Sequence, residues 1–205
     1  MKKFLLLLGV VLFTASVSFG QFALGIKVGY NANKLSTNSD SIKSQFNSGF
    51  HVGIWSHIGK RLYFAPELNY TLSGAQFTGE GKLSTSNWKQ NVTIGSVNIP
   101  LMLGFKIIHS GVLTWRIELG PEASFMVNKK VKDENSVIGP ITESSLKDVN
   151  WYIMGGTGID VLFLAFDIRY KYGLNKMITD VGNWEFNSHN GMLLISVGFK
   201  IFGKK

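Results

Sequence analysis

Leu164-Ala165-Phe166-Asp167-Ile168-Arg169-Tyr170-Lys171-Tyr172-Gly173 places Leu164, Phe166, Ile168, Tyr170 and Tyr172 on one parity and Ala165, Asp167, Arg169, Lys171 and Gly173 on the other. Period two is the side-chain repeat of a β-strand, whose successive residues point to opposite faces of the sheet. One face here is aliphatic and aromatic, and the other is small or charged.

The same pattern recurs along most of the chain. Toward the N-terminus, Phe22, Leu24, Ile26, Val28 and Tyr30 alternate with Ala23, Gly25, Lys27, Gly29 and Asn31. Phe50, Val52, Ile54 and Ile58 then oppose Gly49, His51, Gly53 and His57, with Trp55 alone breaking the rule. Residues 62–72 set Leu62, Phe64, Pro66, Leu68, Tyr70 and Leu72 against Tyr63, Ala65, Glu67, Asn69 and Thr71; Pro66, which lacks an N–H, predicts a missing ladder bond. A fourth run, about 92–106, opposes Val97, Ile99, Leu101, Leu103 and Phe105 to Asn98, Pro100, Met102, Gly104 and Lys106, and its early part is ambiguous in phase. Further runs place Arg116, Glu118, Gly120, Glu122 and Ser124 opposite Trp115, Ile117, Leu119, Ala123 and Phe125, and Met154, Gly156, Gly158 and Asp160 opposite Ile153, Ile159 and Val161. The last run, about 192–202, carries Ser196, Gly198 and Lys200 on its polar side, and Phe202 falls on that polar parity.

Short connections near 59–61, 109–113 and 162 alternate with long ones at about 35–48, 73–91, 128–148 and 174–191, which are rich in Ser, Thr, Asn, Asp, Lys and Gly. Eight strands in an up-and-down meander, with every long loop at one end, predict an all-β fold: an eight-stranded antiparallel up-and-down transmembrane β-barrel of the small, porin-like size class. A soluble barrel would turn the apolar parity inward, whereas a membrane barrel presents it to lipid and fills a narrow lumen with polar side chains. Three features favour the membrane form. The polar parity is nearly charge-balanced, with Lys27, Lys106, Arg116, Arg169, Lys171 and Lys200 against Glu67, Glu118, Glu122, Asp160 and Asp167, so its members can pair in a lumen. Eight glycines share that parity, leaving room for long side chains. Tyr30, Tyr70, Trp115, Trp151, Tyr170 and Tyr172 share the apolar parity near strand ends, where an aromatic girdle lies. A strand of about 11 residues at roughly 3.3 Å each, tilted near 40°, rises about 28 Å, enough for the hydrocarbon band.

Residues 1–20 read as a secretory signal peptide: basic Lys2 and Lys3, the apolar residues 4–13, and small Ser18 and Gly20 around a cleavage site before Gln21. Ten strongly apolar residues are short of the roughly 20 that span a bilayer as a helix. Residues 21–205 are then the outer-membrane β-barrel domain. The composition agrees. The 205 residues are 45% hydrophobic and 17% charged, which excludes a charged disordered chain, and they contain no Cys, which excludes a disulfide scaffold and thiolate-ligated metals. A mean hydropathy of +0.13 stands without a membrane helix beyond the leader. The formal charge of +8 falls to +6 on removal of Lys2 and Lys3 with the leader, leaving 19 basic against 13 acidic residues, and export argues against a nucleic-acid partner.

Several segments carry a family likeness: Gly25-Ile26-Lys27-Val28-Gly29-Tyr30-Asn31, Pro66-Glu67-Leu68-Asn69-Tyr70 with Gly74, Ile99-Pro100-Leu101-Met102-Leu103, Gly120-Pro121-Glu122, Gly155-Gly156-Thr157-Gly158 and Asp167-Ile168-Arg169-Tyr170-Lys171-Tyr172-Gly173-Leu174. In these the chain resembles the PorT-like porin family of small outer-membrane β-barrel proteins in Gram-negative bacteria. The resemblance implies an integral outer-membrane barrel and includes members linked to a protein-secretion machinery; it implies no catalytic residue.

No catalytic, metal-binding or cofactor-binding residue is expected. Glu118 and Glu122 lie roughly 13 Å apart along one strand face, too far for a glycosidase pair. His51 and His57 are separated by roughly 20 Å and do not chelate together. Asp180, Ser188 and His189 in the last loop lack the surroundings of a strained nucleophile, and no helix pattern follows Gly155-Gly156-Thr157-Gly158 to make it a phosphate cradle. The eleven charged residues of the polar parity are expected to form a structural lumen network. Lys129, Lys130 and Lys132, at the start of the third long loop, are candidates for contact with lipopolysaccharide phosphates. The function expected is a structural or interaction module acting through four outer loops on envelope or secretion proteins. The alternatives are a narrow solute pore, a secretion accessory and, last, a loop-based enzyme.

Overall fold

Each alternating run folds as a strand. The computed structural model describes residues 21–36, 42–45, 48–80, 87–133, 147–175 and 189–203; residues 1–20 and most of those expected to form the long loops lie outside these. The strands are β1 (Phe22–Ser36), β2 (Ile42–Gln45), β3 (Ser48–Gly59), β4 (Leu62–Glu80), β5 (Asn87–His109), β6 (Leu113–Asp133), β7 (Val149–Val161), β8 (Leu164–Gly173) and β9 (His189–Gly203). All pairings are antiparallel and follow chain order, and β1 against β9 closes the ring. Eight strands therefore form the wall. The ninth, β2, lies in a stretch expected to be loop and adds only four pairs to the outer part of β4. Among the described residues no helix is long and apolar enough to cross a membrane, and the crossing is by strands.

Closure leaves the eight-stranded wall without a free edge, the condition for exposing a β-structure to hydrocarbon. At the short-turn end it is reinforced by backbone bonds between elements: Gly59 N–H to Gln21 O at 3.0 Å, Lys106 N–H to Arg61 O at 2.9 Å, Leu162 N–H to Val112 O at 3.0 Å and Lys200 N–H to Phe163 O at 2.8 Å. The β7–β8 turn is tight enough to put Leu162 at φ 54°, an uncommon conformation for a side chain of that size.

The apolar parity faces outward. Val28, Phe50, Leu62, Leu103, Leu119 and Ile168 are all exposed, while Lys27, Glu67, Arg116, Glu118, Glu122 and Arg169 on the other parity are buried. Tyr30 meets Phe50 edge-on at 5.8 Å toward the long-loop end, and Phe163 meets Phe199 at 5.2 Å at the other. The anomaly at Phe202 resolves in the register. Leu24 pairs with Phe202 but Gly25 with Lys200, so Ile201 is an extra residue and both Ile201 and Phe202 face outward. Phe202 then packs on Phe22 at 6.2 Å. A second bulge lies on β6, where Gly95 pairs with Asn128 but Ser96 with Met126, leaving Val127 as the extra residue. The fourth run itself keeps one parity; its early part is ambiguous because apolar Val92 and Ile94 are buried on the inward side with Ser96 and Asn98.

The strands outrun the expected loops. β4, β5 and β6 have 19, 23 and 21 residues, and the β4–β5 ladder continues from Asn69↔Asn98 to Glu80↔Asn87 through most of the stretch expected to be loop. At roughly 3.3 Å per residue and a tilt near 40°, β5 rises roughly 55 Å, about twice the apolar band. Polar composition marks where a strand leaves lipid, not where pairing ends, because the ladder uses backbone groups alone.

Inside, Tyr63, Ala65, Met102 and Met154 form a small apolar core. Tyr63 lies flat over Gly104, where any Cβ would enter its ring. Gly104→Val is therefore expected to cost about 1–3 kcal/mol by overpacking, read as a lower urea midpoint. Gly111→Ala, at a turn position with nothing within 4 Å, should stay within about 0.5 kcal/mol of wild type; equal midpoints for the two variants would contradict this packing.

Candidate functional site

The barrel interior concentrates the charge. Arg116 on β6 is its hub: Nη1 donates to Glu118 Oε1 at 2.5 Å, Nε to Asp160 Oδ1 at 3.0 Å, and Nη2 lies 2.7 Å from Asp167 Oδ1. Arg169 on β8 donates through Nη1 to both Glu67 oxygens at 2.9 and 3.0 Å and holds Glu118 Oε2 with Nη2 at 2.6 Å. Lys27 on β1 donates to Glu67. Lys171 Nζ donates to Glu122 Oε1 at 2.6 Å and sits 4.4 Å over the Tyr152 ring. In the order of the ring β4 and β8 stand opposite each other, so the Arg169–Glu67 pair spans the lumen.

An isolated charge in so enclosed a space would be expensive, and each carboxylate in this cluster has at least one cationic partner. The glycines make the geometry feasible. A Cβ at Gly158 would come within 2.8 Å of the Arg116 guanidinium, so the inward bareness of β7 at this level is what lets Arg116 reach both Asp160 and Asp167.

The eleven residues of the polar parity do not all meet. Lys27, Glu67, Arg116, Glu118, Glu122, Asp160, Asp167, Arg169 and Lys171 pair as described, whereas Lys106 and Lys200 stand at the short-turn mouth, partly exposed and in no ion pair. The strand faces are right for both; the carboxylate nearest them, Asp160 in the same cavity lining, is already engaged by Arg116. Other members escape a reading based on formal charge. Tyr63 donates its phenol to Glu118 Oε1 at 2.6 Å, Asn69 donates to Glu67 at 3.2 Å and Asn98 to Thr71 at 2.6 Å. Trp55 turns inward and donates to the carbonyl of Ile26 at 3.2 Å, and His57 stacks between Trp55 and Tyr63 with centroids 4.6 Å from each. The signal was present in the parity: a Tyr or Trp on the polar side of a membrane strand is a lumen residue with a polar tip to satisfy.

The interior offers little chemistry. Glu118 is taken by two guanidiniums and Glu122 by Lys171, so the two do not act as a free acid and base. His51 Nδ1 lies 2.5 Å from Asn31 Oδ1. Among the described residues no cluster of His, Cys, Asp and Glu is arranged to hold a metal ion. Asp180 and Ser188 lie outside the described residues; His189 opens β9. A cavity of about 10 Å³ lies beside Lys27, Asn69, Thr71, Asn98 and Arg169, and one of about 40 Å³ opens at the short-turn mouth. A water molecule needs roughly 10–15 Å³ measured this way, so mid-lumen has room for about one.

Lys129, Lys130 and Lys132 belong to strand β6 rather than to a loop, because the β5–β6 ladder continues through Asn91↔Lys132 to Gln90↔Asp133. Lys129 Nζ donates to the exposed Asp148 at 2.6 Å, while Lys130 and Lys132 are exposed.

A closed eight-stranded wall with an apolar outside and a paired ionic inside is the geometry of a small outer-membrane barrel. The family model described as outer membrane protein beta-barrel domain matches residues 14–179. The chain belongs to that family. It is an integral outer-membrane protein of a Gram-negative bacterium. Among solved structures it is similar to the outer membrane protein OprG from Pseudomonas aeruginosa, at 12% identity and a TM-score of 0.52, over 89% of this chain and 96% of that one. Weaker likenesses are to Ail, the attachment invasion locus protein of Yersinia pestis, in complex with the heparin analogue sucrose octasulfate (11% identity, TM-score 0.47, 89% and 99% covered), and to the outer membrane enzyme PagL (10%, 0.46, 84% and 98%). At these identities the likeness is one of fold, and it rests on OprG, with its TM-score of 0.52. No curated protein matches in sequence.

Removing Arg169 takes one of two cationic partners from both Glu67, which keeps Lys27, and Glu118, which keeps Arg116. Arg169→Leu is expected to destabilise by about 3–5 kcal/mol, seen as a lower urea midpoint of the refolded barrel. Lys129→Gln, which breaks an exposed pair, should cost less than about 1 kcal/mol; similar losses in both would show that Arg169 is not functioning as a buried partner.

Proposed function

We propose that this protein is a plugged barrel that works through its outward-facing end, as a structural or interaction module for adhesion, envelope support or partner docking. The observation that supports this most is the lumen-spanning Arg169–Glu67 pair beside a cavity of only about 10 Å³. A solute pore needs a continuous wet path, and opening one here would separate buried charges that hold each other. The reading is non-enzymatic, since the interior carboxylates serve as counter-ions. In planar bilayers the refolded chain is expected to give no sustained open-state conductance; steady stepwise currents would establish the pore instead.

The outward end has a built platform. The β4–β5–β6 wall stands well above the apolar band and carries Lys130 and Lys132 on its exposed side. Their charge suits the phosphates of the lipopolysaccharide leaflet around them. The PorT-like sequence features support, within the same reading, a docked partner from a protein-secretion machinery. Lys130→Ala with Lys132→Ala should weaken retention on immobilised lipopolysaccharide at about 0.1 M salt, with the difference vanishing near 1 M, where screening shortens to roughly 3 Å. Equal retention at low salt would remove these lysines from the contact.

A further inference from the structure

The interior charges sort into two groups. Lys27, Arg116, Arg169 and Lys171 are consumed by Glu67, Glu118, Glu122, Asp160 and Asp167. Lys106 and Lys200, the cations left over, both line the cavity of about 40 Å³ at the short-turn mouth. Among the described residues neither forms an ion pair. Lys106 leans over the Tyr63 ring at 5.6 Å and is within electrostatic reach of Lys200, Arg116 and Asp160. Asp160 is the acidic group in the lining, and its Oδ1 already accepts from Arg116 Nε at 3.0 Å. The lining also includes Ser110, whose hydroxyl donates to the carbonyl of Leu113 at 2.9 Å, and Thr114, whose Oγ1 lies 3.1 Å from His109 Nδ1. The rim around it is held by the backbone bonds that tie Gly59 to Gln21, Leu162 to Val112 and Lys200 to Phe163. Two like charges converge here on a space large enough for a few water-sized atoms, in a rim that does not need to rearrange.

We infer that the short-turn mouth is a binding site for one small oxyanion, a carboxylate or phosphate group entering from the periplasmic side, held between Lys106 and Lys200. Short turns of outer-membrane barrels face the periplasm. The anion neutralises the mutual repulsion of the two ammonium groups and receives charge-assisted hydrogen bonds from both. The site is separate from the outer end, so the proposed function stands or falls independently of it.

The experiment uses the full folded barrel in a non-ionic maltoside, followed by backbone amide shifts at Ser110, Val112 and Thr114, with inorganic phosphate or acetate exchanged against chloride at constant ionic strength. Saturable shifts confined to the mouth are expected, with dissociation constants in the millimolar range, about what two partly exposed charges supply. Lys106→Gln with Lys200→Gln should weaken binding about tenfold or more, while Lys130→Gln with Lys132→Gln keeps the wild-type curve. If the first pair does not fold, Lys200→Gln alone carries the comparison. Repeating the titration in vesicles of anionic phospholipid distinguishes the source: mouth amides already shifted there, and no longer moved by phosphate, identify a lipid headgroup, whereas an unchanged titration identifies a soluble anion. Shifts that do not saturate, or that the lysine variants leave unaltered, overturn the site.

Discussion

Every feature of this protein depends on the closure of β1 against β9. A hydrogen-bonding backbone group left open to hydrocarbon costs several kcal/mol, so a sheet can sit in a membrane only if its first and last strands find each other. The register from Ala23↔Gly203 to Ser36↔His189, with its bulge at Ile201, accomplishes this. Closing at eight strands also sets the lumen width to about what side chains fill. Plugging is thus a consequence of strand number, and the identity of the plug is what selection has to work with.

That plug is ionic rather than apolar at its centre. The outward face has to match lipid, so strand alternation drives polar residues inward, where they must satisfy one another. Arg116 and Arg169 do most of this because a planar guanidinium can address several carboxylates at once. Arg116 reaches Glu118, Asp160 and Asp167 from one side chain. Lysine, a single point of charge, appears in simpler pairs at Glu67 and Glu122. A cluster that links β1, β4, β6, β7 and β8 across the ring specifies register as well as contributing stability, since a one-residue slip would turn its members into lipid.

The apparent basicity of the chain changes meaning in this light. Two of the basic residues, Lys2 and Lys3, stand at the extreme N-terminus, four are neutralised in the lumen, and Lys106 and Lys200 lie at one end of the barrel and Lys130 and Lys132 at the other. Among the described residues these four lysines therefore place positive charge at both ends of the barrel. The outer end adds reach: β4, β5 and β6 keep pairing long after the apolar band has ended.

The strand pattern, the number of strands, the turn order and the inside-out polarity were legible in the sequence, because each is a period-two property that one strand reveals without its neighbours. Which residues point inward was legible for the same reason, including the aromatic exceptions Tyr63 and Trp55 had their parity been weighted above their chemistry. Three things needed the tertiary structure. Bulges at Ile201 and Val127 shift parity through pairing with another strand, and strand ends at Glu80 and Asp133 are set by backbone ladders that polar composition does not report. The third is partnership. Arg169 meets Glu67 from the opposite wall, 102 positions away, and among the described residues Lys106 and Lys200 form no ion pair at the mouth; only closing the ring decides which charges come within reach of each other.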